Sequence, residues 1–132
     1  MFHFDKNFGL FVGKLTDNKF HKHYALQLTV SGNTNMKLSV KNQSEISGNS
    51  LFINSNIEHK LLSESIQLTI LINPLSSIGH HLYLLNKNTD FSILNNKLSE
   101  NLIAILLHQA QTLNRKLFRV LNLVYSFLYL LY

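Results

Sequence analysis

The stretch HKHYALQLTVSG, from His21 to Gly32, decides the fold, because its apolar and polar residues alternate as they do in a half-buried β-strand. Successive side chains of a strand point to opposite faces, so residues of equal parity share one face. His21, His23 and Gln27 therefore lie on one side, and the apolar residues from Leu26 onward occupy the other. The stretch predicts a strand that carries two imidazoles and a carboxamide on a single face.

The first two-thirds of the chain continue this two-residue period in short segments separated by Gly, Asn, Asp and Ser. The predicted strands are 8–14, 23–31, 36–41, 51–54, 57–62 and 66–72. Turns or loops are predicted at 42–49 and 86–95. Six short strands at this spacing indicate an antiparallel sandwich or barrel rather than alternating strands and helices.

The pattern becomes helical after Pro74, the only proline. The segment 76–88 predicts a short helix, and the sequence from about Asn96 to the end predicts one or two longer helices. Steps of three and four residues from Ile103 meet only apolar side chains, which is a packing seam. Its members are Ile103, Leu106, Ala110, Leu113, Leu117, Val120, Val124, Phe127 and Leu131.

The sequence divides into a β-barrel at 1–75 and a helical packing or dimerisation region of the same domain at 76–132. The seam has two interpretations that remain open: it docks on the sheet of its own chain, or it pairs with a second copy to form a dimer. Residues 117–132 are nearly continuously apolar, so a partner surface must cover them. A membrane span is disfavoured, because 16 helical residues reach only about 24 Å against a hydrocarbon core of roughly 30 Å.

Composition excludes several classes of function. The 132 residues contain no cysteine, so disulfides, thiolate metal sites and cysteine nucleophiles are excluded. The net charge of +5 is scattered along the chain and forms no nucleic-acid patch, and no phosphate loop or nucleophile–base pair appears. The N-terminal residues lack the pattern of a signal peptide, and we therefore expect a cytoplasmic protein.

His59 adds a third imidazole from a second strand-like segment. Two histidines at i and i+2, together with one from another strand, can converge on one side of a metal ion, and Gln27 could add an oxygen. Four residues of a straight strand span about 13 Å, so the chain must bend between His23 and Gln27 if both are to reach one ion. Three interpretations stay open: the lining of an effector pocket, metal ligands, or structural positions.

The spacing of these residues resembles the two motifs of the cupin superfamily of small β-barrels. The first motif, a glycine, an H-x-H pair, an acidic residue and a closing glycine, corresponds to Gly13, His21, His23, Gln27 and Gly32. The second corresponds to Gly48, Asn54, Asn56, His59 and Ser63. Several residues differ from the motifs, most notably Gln27, which stands where the first motif has glutamate. The resemblance implies a cupin-like, jelly-roll barrel over about residues 10–75.

A narrower resemblance covers more of the chain. HKHYxxQL at 21–28, FINSNIxH at 52–59 and LTILINPLSSIG at 68–79 look like the N-terminal effector-sensing domain of bacterial AraC-type transcription regulators. That family implies a cupin-like barrel followed by dimerising helices, commonly with a small organic effector and no metal. Its DNA-binding helix-turn-helix units have no counterpart here, so we expect a truncated regulator that makes no direct contact with nucleic acid.

The leading hypothesis is therefore a small-molecule sensing and dimerisation domain without catalytic residues or a cofactor. Its effector would contact His21, His23, Gln27, His59, Tyr24 and Phe11. The expected partners are the effector and either a second copy of the chain or a full-length relative. The alternative is a metal-dependent cupin enzyme, a dioxygenase or isomerase, that holds Fe, Mn, Ni or Zn on His21, His23, Gln27 and His59.

Overall fold

The computed structural model of the chain describes residues 2–4, 7–14, 16–31 and 35–94, with the backbone alone for 2–4. These ranges contain nine strands and one helix. The strands are β1 (Phe2–Phe4), β2 (Phe8–Gly13), β3 (Leu26–Ser31), β4 (Met36–Val40), β5 (Ile46–Gly48), β6 (Ser50–Ile53), β7 (His59–Leu62), β8 (Gln67–Ile72) and β9 (Phe91–Ile93), and the helix is α1 (Ser77–Leu85).

The described strands form two antiparallel sheets. The larger sheet has the order β1-β2-β8-β3-β6-β9, and the smaller one has the order β5-β4-β7. Strand β3 lies in the middle of the larger sheet, where Thr29 is directly opposite Thr69 of β8 and Leu51 of β6. The sequence from Leu26 to Ser31 thus supplies one of the two central strands of the larger sheet.

One face of the larger sheet is apolar. Leu26, Leu28 and Val30 of β3 contribute to a buried cluster that also contains residues of β2, β6 and β8. Helix α1 packs on this face through Leu82 and Ile78. The helix begins after Ser76, whose hydroxyl accepts a hydrogen bond from the backbone N–H of Gly79.

The other face of the larger sheet packs against the smaller sheet. A second cluster of buried residues joins β6 to β4 and β7: Met36, Leu38, Val40, Leu51, Ile53 and Leu61. Gln27 is directly opposite Ile53, and Thr29 is directly opposite Leu51, so both β3 residues lie on this inner face. The space between the sheets therefore has an apolar part and a polar part.

The comparison with the predicted strands gives three corrections. The turn predicted at 42–49 contains β5, the loop predicted at 86–95 contains β9, and the residues before Phe8 contain β1. All three strands have only three residues, too few for a clear alternation of polar and apolar side chains. β1 and β5 pair with the neighbouring strands β2 and β4, whereas β9 pairs with β6, about forty residues earlier in the chain.

The strand predicted at 23–31 begins at Leu26, because the chain bends before it. The short helix predicted at 76–88 is confirmed as α1. The predicted helical seam from Ile103 to Leu131 lies outside the described residues. Among the residues that are described, no helix has the length and apolar character needed to cross a membrane.

Candidate functional site

The site begins where the segment before β3 runs antiparallel to β7. His21 and His59 form an isolated β-bridge, in which the His21 N–H donates to the His59 carbonyl at 2.9 Å and the His59 N–H donates to the His21 carbonyl at 2.8 Å. Directly paired residues on neighbouring strands place their side chains close together. The centres of these two imidazole rings are accordingly 4.5 Å apart.

A bend brings the third histidine to the same place. The chain is irregular from residue 22 to 25, and the His23 carbonyl accepts a hydrogen bond from the Asn56 N–H at 2.8 Å. The His23 ring centre lies 5.7 Å from that of His21 and 5.2 Å from that of His59. The predicted convergence of three imidazoles from two segments is confirmed, and we call His21, His23 and His59 the histidine triad.

The triad nitrogens are close enough to hold a ligand between them. One nitrogen from each ring lies within 4.8 Å of the other two. A tetrahedral ion with bonds of about 2.0–2.1 Å needs nitrogens roughly 3.3 Å apart, so the nitrogens would have to approach by at most about 1.5 Å. Rotation of the His21 side chain, which is 39% exposed, is the easiest way to make this approach.

Each triad ring presents its Nδ1 to an oxygen that can only accept. The His59 Nδ1–H donates to the Ile57 carbonyl at 2.7 Å, and the His23 Nδ1–H donates to the Ala25 carbonyl at 2.9 Å. The His21 Nδ1 lies 3.5 Å from the Lys19 carbonyl. Such contacts fix the ring orientation and leave the Nε2 atom for a ligand, as in metal sites where a histidine donates its other ring N–H to a carbonyl.

His59 is the residue of the triad whose surroundings most favour the binding of a ligand. Only 1% of the residue is exposed, and its Nε2 is buried without a hydrogen-bond partner. Burial lowers the pKa of His59, and His21 and His23 lower it further by repulsion, whereas the hydrogen bond to Ile57 and the charge of Asp17 act in the opposite direction. The His59 ring is therefore neutral near pH 7, and its Nε2 carries a lone pair that has no hydrogen-bond partner.

Gln27 extends the site along the inner face of the larger sheet. Its Oε1 lies 3.0 Å from the His23 Nε2, and its amide nitrogen donates to the Thr29 hydroxyl at 2.8 Å. Thr29 is 3.2 Å from the Thr69 hydroxyl, which accepts from the Gln67 amide at 3.2 Å. We call Gln27, Thr29, Thr69 and Gln67 the polar row, and at most 5% of any of them is exposed. The chain bends between His23 and Gln27, as it must if both side chains are to reach one ion.

Asp17 is a site residue that the sequence analysis missed. Its carboxylate accepts from the Leu61 N–H at 2.8 Å and lies 3.7 Å from the His21 Nδ1. The Asp17 N–H donates in turn to the Leu61 carbonyl at 2.9 Å, so the residue is fixed beside β7. Asp17 lies four residues before His21, but its position in the sequence indicated a turn and not a contact with the triad.

Two other residues proposed for ligand contact lie in different surroundings. Tyr24 is 54% exposed, in the bend that follows His23. Phe11 belongs to β2, and its ring lies over Gly13, where a Cβ would come within 3.0 Å of the Phe11 Cζ atom. The structure brings together His21, His23, Gln27 and His59 from the predicted set, and it adds Asp17 and the threonines of the polar row.

Two comparisons by sequence find no similar protein. No protein-family model matches the chain, and no curated protein sequence matches it. Similarity appears only when structures are compared.

Among solved structures, a variant of ToxT from Vibrio cholerae, a regulator of the AraC type, matches 91% of this chain at 18% identity with a TM-score of 0.58. The matched part is 53% of the ToxT chain, so this chain spans about half of that protein. This similarity shows the fold, a mainly antiparallel, cupin-like β structure.

Two shorter matches have lower TM-scores. Protein NMB1881 from Neisseria meningitidis has 15% identity, a TM-score of 0.46 and a match to 55% of this chain and 80% of its own. An RmlC-like cupin from Shewanella frigidimarina has 13% identity, a TM-score of 0.42 and a match to 57% of this chain and 74% of its own.

Proposed function

We propose that the chain is a ligand-sensing domain of the kind found in AraC-type regulators, and that its ligand binds at the histidine triad. The observation that carries this proposal is the buried Nε2 of His59, which has no hydrogen-bond partner and belongs to a ring whose centre lies 4.5 Å and 5.2 Å from those of two further imidazoles. A buried polar atom without a partner costs about 1–3 kcal/mol. A ligand that satisfies this atom recovers that cost.

The polar row supports binding more than catalysis. It supplies amides and hydroxyls, which recognise a ligand by hydrogen bonds but are weak acids and bases. The carboxylate nearest the triad, that of Asp17, is already engaged by the Leu61 N–H. The likeness of fold to ToxT is compatible with a sensing role, although it extends over only about half of that regulator.

Sensing also requires an output, and we propose that it passes through dimerisation. The apolar seam from Ile103 to Leu131 would pair with a second copy, or with a full-length relative. Ligand binding changes an equilibrium only if the ligand prefers one of two states, so the triad and the seam must be coupled. Light scattering with and without ligand tests this part of the proposal.

Native mass spectrometry of the full chain tests ligand binding directly. We expect a retained small organic molecule in the wild type and its loss in His59→Ala, because that variant removes the unpaired Nε2. His81→Ala is the matched control, since His81 lies exposed on α1. A binding compound from a library of sugars, amines and organic acids should then raise the melting temperature of the wild type and of His81→Ala, but not that of His59→Ala. Equal shifts in all three proteins would contradict the proposal.

A second candidate is a metal-dependent cupin enzyme of the dioxygenase or isomerase type. The specific observation in its favour is the contact of all three Nδ1 atoms with acceptor oxygens, which leaves the Nε2 atoms available, together with one nitrogen from each ring within 4.8 Å of the other two. The three histidines would hold the ion, with Gln27 beside them, and a divalent ion bound there would supply a Lewis acid. Stoichiometric Fe, Mn, Ni or Zn that disappears in the His21→Ala, His59→Ala double variant would support this function over the first.

A further inference from the structure

The histidine triad presents electron pairs and not N–H donors to its centre. The Nδ1 atoms of His23 and His59 donate to carbonyl oxygens, and a carbonyl cannot donate in return. The His21 Nδ1 has the Lys19 carbonyl at 3.5 Å and the Asp17 carboxylate at 3.7 Å, which are both acceptors. A neutral imidazole with its proton on Nδ1 carries its lone pair on Nε2. His23 and His59 therefore each carry a lone pair on Nε2, and one nitrogen from each of the three rings lies within 4.8 Å of the other two.

Gln27 supplies an internal partner for one of these lone pairs. Its terminal amide lies 3.0 Å from the His23 Nε2, with Oε1 as the nearer atom. Two acceptors cannot form a hydrogen bond without a proton between them. With a neutral His23, the amide must turn by about 180° so that its NH₂ group donates to the Nε2 atom.

The turned amide is compatible with every other bond of the polar row. Its Oε1 then accepts from the Thr29 hydroxyl, Thr29 accepts from Thr69, and Thr69 continues to accept from the Gln67 amide. Each member keeps a partner when the amide turns, so the rotation requires only a reversal of two hydroxyl groups. The polar row therefore keeps its hydrogen bonds whether or not the Gln27 amide donates to the His23 Nε2.

The surrounding cations do not point to an anionic ligand. Lys60, next to His59 in sequence, places its Nζ 5.3 Å from the centre of the Phe20 ring. Lys41 is bound to Glu58, with 3.3 Å between the charged atoms. An anion at the triad would face the lone pair on the buried Nε2 of His59, which is repulsive.

We propose that the triad takes a ligand group that accepts an electron pair or donates a hydrogen bond, and that Gln27 is the specificity-determining residue which this group displaces from His23. A divalent transition-metal ion and an organic ammonium or hydroxyl group share this chemistry. A carboxylate or phosphate lacks it. The inference rests on the proposed function in one respect, namely that ligand binds at the triad.

Titration of the full chain with Co²⁺, followed by its visible absorption, tests the role of Gln27. Replacing Gln27 with Leu removes the competing hydrogen bond, so we expect Gln27→Leu to bind Co²⁺ roughly threefold to tenfold more tightly than the wild type, the equivalent of one hydrogen bond. Gln67→Leu is the matched control, because it makes the same change at the far end of the polar row and should leave the affinity unchanged. Equal or weaker binding by Gln27→Leu overturns the proposal.

Organic probes distinguish the two sources of the shared chemistry. At pH 7.5, ethanolamine and glucose test the ammonium and hydroxyl groups, and acetate tests the anion, each by its effect on the melting temperature of the wild type and of His59→Ala. Stabilisation by Co²⁺ alone identifies a metal site, and stabilisation by an organic donor identifies an organic effector. Stabilisation by acetate that His59→Ala abolishes, or no response to any donor, overturns the proposal. A retained organic molecule in the mass spectrum would still support the sensing function in those cases.

A measurement on the wild type keeps the proposal testable if Gln27→Leu does not fold. Long-range ¹H–¹⁵N spectra report which ring nitrogen of each histidine carries the proton. At pH 7.5 we expect the Nδ1–H form for His23 and His59, and a Gln27 amide signal that moves when Zn²⁺ is added. A protonated Nε2 on either ring, or a Gln27 signal that does not respond at saturating Zn²⁺, overturns the proposal.

Discussion

The two faces of β3 are equally buried but chemically opposite. On the outer face, Leu26, Leu28 and Val30 pack in the apolar cluster beneath α1. On the inner face, Gln27 and Thr29 form half of the polar row, and no more than 5% of either residue is exposed. Apolar burial stabilises the fold at about 25 cal/mol per Å², whereas buried polar groups contribute little once their desolvation is counted. The comparison assigns stability to the outer face and ligand chemistry to the inner face.

The largest expected effect is on the outer face. Replacing Leu28 with Ala removes a side chain that is 1% exposed and leaves a cavity in the cluster, so the free energy of unfolding should fall by about 2–5 kcal/mol. Urea denaturation measures this change. Lys37→Ala, at an exposed position of β4, should change the free energy of unfolding by less than about 0.5 kcal/mol. If Leu28→Ala lowered the free energy of unfolding by less than Thr29→Val on the inner face, stability could not be assigned to the outer face.

A smaller effect is expected on the inner face. Replacing Thr29 with Val keeps the shape of the side chain but leaves the Gln27 amide without its hydroxyl partner, at a cost of about 1–3 kcal/mol. In a double-mutant cycle with Thr69→Val, the two changes should be non-additive by about 0.5–1.5 kcal/mol, because the Thr29 and Thr69 hydroxyls bond each other. Additive costs would show that the row is not a connected network.

The same contrast explains how much of the molecule the sequence could predict. The alternation of polar and apolar residues located the longer strands, because the pleat of a strand sets a period of two that is visible in the sequence. The alternation also drew attention to His21, His23 and Gln27, although a bridge and a bend, and not one straight strand, bring them together. Asp17 and Thr69 were missed because hydrogen bonds across 44 and 40 positions of the chain bring them to the site. No local pattern records such a contact. The strands β1, β5 and β9 were missed because three residues are too few to show an alternation.

The smallest expected effect concerns pH. The pKa of His59 is lowered in the folded chain, mainly by burial, from an ordinary value of 6.5. Below pH 6.5 the unfolded chain binds a proton at this residue that the folded chain resists, so the free energy of unfolding should fall as the pH falls. Above pH 6.5 both states hold a neutral ring, and this contribution disappears. Urea denaturation between pH 7.5 and 5.0, with EDTA to remove metal, should therefore show a steeper loss for the wild type than for His59→Gln.

His80→Gln separates this effect from the general titration of the chain. His80 lies exposed on α1, outside the space between the sheets, and His80→Gln is therefore the matched control. Protonation of His59 would place a charge in a ring whose centre lies 4.5 Å and 5.2 Å from those of two other imidazoles. If His59→Gln retained the full pH dependence of the wild type, the triad would not be the part of the inner face that resists charge.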